Sequence, residues 1–461
     1  MRYNQNKAEE LKIAYIGGGS RGWAWGLMSD LASCGDMSGS VYLYDIDFRA
    51  AKDNEIIGNK YNALEEAKSV WNYKAVETIG EALTGADFVI ISILPGTFDE
   101  MQSDVHEPEK YGIYQSVGDT AGPGGIVRAM RTVPMFEEIA ENIKKYAPDA
   151  WVINYTNPMT LCVKTLYRVF PEIKAFGCCH EVFGTQKFLC EMVKEVFGVE
   201  AVDRHEIKVN PVAVNHFTWL TKATYRNVDL FPYYKEFCRK HKDGFGRGDD
   251  NWMNNAFAGA EKVKMDLFNK FGYIAAAGDR HLAEFCEGKW YLESPERVHE
   301  MKFALTTVDW RKEDLQKRLE KSRRLKSGEE EVTLRNTGEE GVQQMRALLG
   351  LGDLVTNVNI PNAGQIPNLP LGAVVETNAV FASNSLTPVF AGPVPKEIYP
   401  MVSRVCAEQE LVSEGIAERD LDKIFTAFAN DPLVTCGLED ARKLFDAMCE
   451  NTKKYLTMYE F

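Results

Sequence analysis

The chain has 461 residues, of which 45% are hydrophobic and 26% charged, and its formal net charge at pH 7 is −14. This length suits two packed domains or one large α/β unit, and the composition is that of an ordinary folded protein. The negative charge argues against nucleic acid or an anionic membrane as a partner, because both require a positive protein surface.

Cysteine usage and the first residues give an expectation about the compartment. Ten cysteines are spread thinly from Cys34 to Cys449, and residues 1–11 are polar, without the apolar segment of a secretory signal. No apolar run approaches the ~20 residues that span a bilayer. We therefore expect a cytoplasmic protein with reduced cysteines and no membrane partner.

The first predicted elements are a strand at 12–16, a glycine-rich turn and a helix at 23–32. Gly17, Gly19 and Gly22 fit the pattern G-x-G-x-x-G. Glycine at these places permits a tight turn and lets the backbone approach a pyrophosphate closely, with the phosphates at the helix N-terminus.

A second predicted strand, 41–44, ends at Asp45. An acidic residue at this place suits a hydrogen bond from a ribose 2′-hydroxyl and so favours NAD over NADP. The alternative is an ordinary strand–helix turn in which Asp45 caps the next helix. The dinucleotide interpretation is preferred because the glycines are followed by both a helix and a second strand.

Helices and strands continue to alternate, which is typical of a mostly parallel, doubly wound sheet. Further helices are predicted at 48–67, 79–83, 137–146 and 183–197, and strands at 73–76, 87–94, 151–154 and 173–176. We predict an α/β protein with a Rossmann-type NAD-binding domain over 1–201. A mixed α+β domain over 202–461 would pack against it and bind substrate.

Two loops interrupt this alternation. Residues 118–125 are too rich in glycine for a regular element, and they lead into a helix that carries Arg128 and Arg131. These arginines either face an anion or are solvated. In the second loop Asn157 precedes Pro158, which is good N-cap chemistry and would explain the asparagine without any function.

The segment 177–182, Gly-Cys-Cys-His-Glu-Val, lies between a predicted strand and a predicted helix, where parallel sheets bind ligands. A thiol beside an imidazole can bind a divalent metal or act as a nucleophile with its base. Alternatively, Cys178, Cys179 and His180 are buried structural residues, and the triplet taken alone favours this interpretation.

The second half is less regular. An apolar, strand-like run at 211–220 contains the polar pair Asn215-His216, which is costly to bury without partners. A charged, glycine-rich loop is predicted over 240–250. Residues 278–281 follow an apolar segment, and the alternative to a functional role for them is a surface turn with solvated charges. A solvated helix followed by a mobile loop is predicted over 311–340.

Taken together, five motifs resemble glycoside hydrolase family 4, the NAD- and divalent-metal-dependent glycosidases. They are Ile-Gly-Gly-Gly-Ser at 16–20, Gly-Pro-Gly-Gly at 122–125, Asn-Tyr-Thr-Asn-Pro-Met at 154–159, Cys-His-Glu-Val at 179–182 and Asn-His-Phe at 215–217. The version Cys-His-Glu-Val resembles that of members acting on α-galacturonides. Members that act on 6-phosphoglycosides often carry an arginine where this chain has none, between Leu94 and Glu100.

The resemblance implies NAD and Mn²⁺ as cofactors and a homodimer or homotetramer. It implies that Cys179 and His216 bind the metal, which leaves positions open for sugar hydroxyls. His180 would protonate the leaving oxygen, and Asn157 would contact the sugar or the nicotinamide.

The base that removes the C2 proton is less certain. Some family members use a tyrosine in the segment that corresponds to 278–285, where this chain has Asp279 and His281. We favour Asp279, with His281 as the alternative base or as a substrate contact. The substrate carboxylate needs a nearby cation because the whole chain is negative, and Arg131, Arg128 and Arg280 are the candidates.

The reaction that the resemblance implies is an elimination. NAD⁺ takes hydride from C3, the base removes the acidified C2 proton while the metal stabilises the developing charge, and the glycosidic oxygen departs. Water then adds and NADH returns the hydride. The alternatives are an α-glucosidase, α-galactosidase or α-glucuronidase of the same family, an ordinary NAD-dependent dehydrogenase, and a dinucleotide-sensing protein without catalysis.

Overall fold

The computed structural model describes residues 1–246, 258–335 and 337–460, so residues 247–250 of the loop predicted over 240–250 lie outside it. Within these ranges the strands form one ten-stranded and one four-stranded sheet. In chain order the strands are β1 (Arg2–Asn4), β2 (Lys7–Ile16), β3 (Met37–Tyr44), β4 (Trp71–Val76), β5 (Phe88–Ile91), β6 (Trp151–Asn154), β7 (Lys174–Gly177), β8 (Ile207–Val214), β9 (Phe217–Tyr225), β10 (Val228–Asp229), β11 (Ile274–Ala275), β12 (Leu354–Pro361), β13 (Val374–Ala382) and β14 (Ser385–Pro388).

The described helices up to residue 197 are α1 (Trp23–Ser33), α2 (Phe48–Lys60), α3 (Ile79–Leu83), α4 (Phe98–His106), α5 (Gly122–Tyr146), α6 (Met159–Val169) and α7 (Glu181–Phe197). The later ones are α8 (Phe231–Lys240), α9 (Lys262–Phe271), α10 (Asp279–Phe285), α11 (Gly288–Tyr291), α12 (Pro295–Glu300), α13 (Val308–Ser327), α14 (Gly341–Leu348), α15 (Tyr399–Glu418), α16 (Leu421–Asn430) and α17 (Leu438–Thr452). None of these helices combines the length and the apolar character that a membrane crossing requires.

The large sheet has the predicted doubly wound core. Its order is β14-β13-β12-β7-β6-β5-β2-β3-β4, and the tenth strand, β1, pairs antiparallel with β2 outside this path. Strands β2 to β7 pair in parallel. Alternate β2 residues enter different cores, since Ile13 and Tyr15 pack with α1 while Ala14 and Ile16 pack with α5 and α6. The strand order reverses between β2 and β5, so the crevice at their carboxyl ends is the expected ligand site.

The three last strands of this sheet come from the part of the chain that we assigned to a second domain. β12 pairs antiparallel with β7 through Asn359 and Gly177, and β13 and β14 continue the sheet outward. The boundary between 201 and 202 therefore stays a prediction about chain organisation, and the sheet itself runs across it.

The run predicted as one strand over 211–220 is two strands. β8 and β9 form an antiparallel hairpin in which Val214 pairs with Phe217, and Asn215 and His216 make its turn. His216 has a φ of 64°, in the left-handed region. The prediction was wrong because the apolar residues on both sides of the turn are buried, which hides the break in the pattern.

Three loop predictions also change. Gly122 to Gly125 belong to the first turn of α5, with Pro123 near its start, so only 118–121 is loop. Residues 279–281 begin α10 and are not a surface turn. Asn157 is not an N-cap, because α6 begins after Pro158 without a side-chain cap.

Gly17 offers a test of the turn after β2. Its φ is 90°, and a Cβ there would lie 2.0 Å from the Ser92 carbonyl oxygen. We expect Gly17→Ala to lower the free energy of unfolding by more than about 2 kcal/mol. The matched control is Gly184→Ala in α7, where a Cβ has no atom within 4 Å and should be neutral or stabilise by up to about 1 kcal/mol. Thermal unfolding measures both, and equal midpoints for the two variants would contradict the proposed clash.

Candidate active site

The carboxyl ends of β2, β5, β6 and β7 bring the predicted motifs to one edge of the large sheet. Gly17 follows β2, Asn157 lies just beyond β6, and Cys178, Cys179 and His180 follow β7. Because these strands are parallel, segments that are far apart in sequence meet at this edge.

The glycine-rich turn is fastened to the end of β3 by Asp45. The Asp45 carboxylate accepts hydrogen bonds from the N–H groups of Gly19 at 2.8 Å and Asp47 at 2.9 Å. The cap of α2 is Asp47, which accepts from the Ala50 N–H at 3.2 Å, so the capping alternative for Asp45 is wrong. The carboxylate has further lone pairs that can accept a hydrogen bond from a ribose hydroxyl. The turn is therefore suited to bind a dinucleotide.

Cys179 and His216, the predicted metal ligands, lie on different elements of the fold. Cys179 follows β7 and His216 occupies the β8–β9 turn; both are buried. Burial, with Glu376 and Glu181 nearby, raises the pKa of the Cys179 thiol. A divalent cation would reverse this balance, because it binds the thiolate form.

His216 lies between two side chains. Its Nδ1 is 3.1 Å from the hydroxyl oxygen of Thr120, and its ring centroid is 3.9 Å from that of His281. Burial lowers the pKa of His216 to about 3, and His281 acts in the same direction. The imidazole is therefore neutral at pH 7, which is the form that binds metals.

Glu181 lies between His180 and His281 and contacts both. Its carboxylate accepts a hydrogen bond from the Gly278 N–H at 2.6 Å and lies 3.6 Å from His180 Nε2 and 3.7 Å from His281 Nε2. Burial acts to raise the pKa of Glu181, but His281, His180 and His216 lower it to about 2. The group is an anion at neutral pH.

His180 is the half-exposed member of the cluster, with 51% of its side chain accessible. Its Nδ1 lies 3.2 Å from a carboxylate oxygen of Glu339, and its ring is 6.0 Å from that of Trp23. Burial opposes protonation, but Glu339 and Glu181 raise the pKa of His180 to about 9. The imidazolium that results at neutral pH can donate a proton to a ligand.

Several buried polar atoms here have no hydrogen-bond partner among the described residues. They are both amide atoms of Asn215, Oδ1 of Asn157 and Nδ1 of His281. No group of three or more His, Cys, Asp and Glu side chains able to hold a metal occurs in the described ranges. A metal held by Cys179 and His216 alone would therefore need ligands from the substrate or water, and the unpaired polar atoms fit a site that is completed by bound molecules.

The carboxylate of Asp279, the predicted base, is hydrogen-bonded to the protein backbone, and its role as base stays a prediction. Its carboxylate accepts from the N–H groups of Val263 at 3.2 Å and Lys264 at 3.0 Å, at the start of α9. Burial and Glu261 raise its pKa to about 7. Residues two apart on a helix do not share a face, and it is His281 that contacts His216 and lies near Glu181.

Two of the three candidate arginines are already engaged. Arg131 is fully buried, and its guanidinium donates to the Asp104 carboxylate. Its Nε donates a further hydrogen bond of 2.9 Å to the Pro95 carbonyl oxygen. Arg280 donates to the carbonyl oxygens of Ser116 and Ala304. In this structure these donors of Arg131 and Arg280 bind protein groups, and the prediction that the two arginines bind substrate stays a prediction.

Arg128 differs from both. Its Nε donates to the Asn157 carbonyl oxygen at 3.2 Å, and no hydrogen bond involves its two Nη atoms among the described residues. Burial lowers the pKa of Arg128, and Asp119 opposes that shift. A buried guanidinium with free Nη groups beside Asn157 is the arrangement that a carboxylate ligand requires.

Sequence reasoning missed several groups that complete the site. Glu339 falls in the segment predicted to be a mobile loop, and Glu376 lies on β13. Glu376 accepts from Thr218 Oγ1 at 2.5 Å and Asn357 Nδ2 at 2.9 Å. Only Glu181 had a local signal, since it follows His180 directly.

Comparison with known proteins assigns the chain to a family. The model described as "Family 4 glycosyl hydrolase" matches residues 12–195, and that of the family's C-terminal domain matches 212–434. The alpha-galacturonidase of Thermoanaerobacterium saccharolyticum is 62% identical over 458 residues, 99% of this chain and 98% of that protein. The chain belongs to glycoside hydrolase family 4.

Solved structures of this family share the fold. The crystal structure of LplD from Bacillus subtilis has a TM-score of 0.91 at 51% identity and covers 95% of this chain and 100% of that one. A 6-phospho-beta-glucosidase of Thermotoga maritima, solved with manganese, NAD⁺ and glucose-6-phosphate, has a TM-score of 0.77 at 19% identity, with 96% and 99% covered. At that identity the likeness concerns the fold alone.

The buried ion pair between Arg131 and Asp104 is expected to contribute to the stability of this family 4 glycosidase. Asp104→Asn leaves the Arg131 guanidinium buried without its counter-charge, so we expect a loss of about 3 kcal/mol in the free energy of unfolding. The control is Asp53→Asn, which removes a partly exposed pair with Lys326 and should cost less than about 1 kcal/mol. Urea unfolding followed by fluorescence compares them. An Asp104→Asn midpoint equal to that of the control would show that the pair is not needed.

Proposed function

We propose that this family 4 glycosidase hydrolyses α-linked galacturonides and uses NAD and a divalent metal, Mn²⁺ in the first instance. The observation that carries this proposal has two parts. Cys179 follows β7, at the sheet edge where Asp45 fastens the glycine-rich turn. Glu181, two positions later, lies 3.7 Å from His281, whose ring contacts that of His216. The identity to a curated alpha-galacturonidase supports the substrate class.

Bound NAD would supply a hydride acceptor and donor, and a metal on Cys179 and His216 would supply a Lewis acid for the sugar oxygens. His180 is the proposed acid, because it is half exposed and its Nδ1 is held by Glu339. We keep Asn157 as a contact to sugar or nicotinamide, since its Oδ1 is buried without a partner among the described residues.

We propose His281 as the base that removes the C2 proton. Its ring lies against that of His216, beside the proposed metal position, and burial lowers its pKa, so that it is neutral at pH 7 and can accept a proton. Glu181, 3.7 Å from its Nε2, would stabilise the imidazolium that forms.

We propose Arg128 as the reader of the substrate carboxylate. It is the candidate arginine whose Nη groups remain available beside Asn157. The planar guanidinium can bind a carboxylate through two parallel hydrogen bonds.

We further propose that the enzyme is a homodimer or homotetramer and that it works in the cytoplasm. The family resemblance supports the assembly. The ten cysteines are all free, as expected in a reducing compartment.

The decisive experiment is a comparison of p-nitrophenyl α-galacturonide with α-galactoside, α-glucoside and α-glucuronide, in the presence of Mn²⁺, NAD⁺ and a thiol reductant. We expect the galacturonide to be hydrolysed with catalytic NAD⁺ and without net NADH, and product formed in D₂O to carry deuterium at C2. Faster turnover of a neutral hexoside would reject the substrate, and stoichiometric NADH would identify a dehydrogenase.

Replacement of the thiol tests the metal site. We expect Cys179→Ser to abolish Mn²⁺-dependent turnover and to leave NAD binding nearly unchanged, because a neutral hydroxyl is a poor substitute for a thiolate ligand. Cys162→Ser, at another buried cysteine, is the control and should retain metal-dependent turnover. Activity of the Cys179→Ser variant at the wild-type level would make Cys179 a structural residue.

Replacement of Arg128 tests substrate recognition. Arg128→Lys keeps the charge but removes bidentate pairing, so we expect KM for the galacturonide to rise about tenfold or more. Residual turnover of a neutral galactoside should change much less. Arg168→Lys, at a partly exposed pair with Glu137, is the control. An equal effect of Arg128→Lys on both substrates would rule out carboxylate recognition.

A further inference from the structure

The loop before α5 presents a short chain of hydrogen-bonding groups to His216. The Thr120 hydroxyl donates to the Asp119 carboxylate, with 2.7 Å between Oγ1 and Oδ1. The same oxygen lies 3.1 Å from His216 Nδ1. Thr120 is 8% exposed and His216 is 3% exposed, so both are shielded from bulk water.

The chemistry of these groups fixes the direction of both hydrogen bonds. An ionised carboxylate can only accept, so the single Thr120 O–H proton must point at Asp119. The Thr120 oxygen then has only lone pairs left for His216, and Nδ1 must carry a hydrogen. The neutral imidazole is therefore the Nδ1–H form, and its Nε2 lone pair is free.

The loop that carries Thr120 is held from both sides by buried carboxylates. Glu284 accepts from the N–H groups of Val117 at 2.7 Å and Gly118 at 2.9 Å. Asp431 accepts from the Gly122 N–H at 3.0 Å. The hydroxyl is thereby positioned by the backbone on either side, and its direction does not depend on a freely rotating surface segment.

We propose that Thr120, oriented by Asp119, is a positioning residue that sets the tautomer of His216 so that Nε2 is the metal-binding nitrogen. This inference rests on the proposed function, because it assumes that His216 is a metal ligand. It assigns a role to the glycine-rich loop, whose sequence indicated only that a site lies nearby. Partners of this kind commonly change metal affinity by about 10–100-fold when removed.

The first test is Mn²⁺ affinity, measured by electron paramagnetic resonance of free Mn²⁺ with the full-length protein and NAD⁺. Thr120→Val keeps the shape but loses the hydroxyl, so we expect about 10–100-fold weaker binding. Thr120→Ser restores the hydroxyl and should bind within about threefold of wild type. Wild-type affinity in Thr120→Val, or equal weakness in Thr120→Ser, would overturn the inference.

The second test does not depend on metal or on a folded Thr120→Val variant. Two-bond ¹H–¹⁵N spectra of metal-free protein labelled with ¹⁵N-histidine report which ring nitrogen carries the proton, and His216→Gln assigns the signal. We expect an unprotonated Nε2 in wild type. An Nε2–H tautomer would overturn the inference, whereas failure of the wild type to bind Mn²⁺ would refute the proposed metal site instead.

Discussion

Glu181 links the two halves of the candidate active site. Its carboxylate, at the start of α7, accepts from the Gly278 N–H at 2.6 Å and faces His180 and His281 at 3.6 and 3.7 Å. A buried anion is unfavourable unless such partners compensate it. Because Gly278 and His281 belong to the second half of the chain, the same contacts fix α7 and α10 against each other, and with them the positions of the histidines.

Local patterns were enough to predict the parallel core and part of the site. The strand at 151–154 and the helix at 79–83 have the predicted bounds, and the other elements up to residue 197 are present with shifted ends. Buried parallel strands are short apolar runs between turn residues, and glycine-rich turns have few alternatives. The residues of the motif around Cys179 are adjacent in sequence and so were easy to notice, but taken alone they favoured a structural role.

The remaining features depend on contacts between distant residues, which single-sequence patterns do not encode. Arg131 looked available for substrate, yet Asp104 occupies it from another helix. The sequence favoured Asp279 over His281 as the base, whereas in the structure the Asp279 carboxylate accepts hydrogen bonds from the start of α9. Glu339 lies 159 positions after His180, in a segment whose charge indicated only solvation.

The pairing of β12 with β7 ties the first half of the chain to the second. A fragment ending near residue 201 would leave β7 with a bare edge and α1 without the apolar residues that α14 supplies. The first 201 residues are thus not a self-contained unit, because their sheet and helix α1 pack against later parts of the chain. Substitutions in β12, β13 or β14 therefore act on the same continuous sheet that carries the glycine-rich turn after β2.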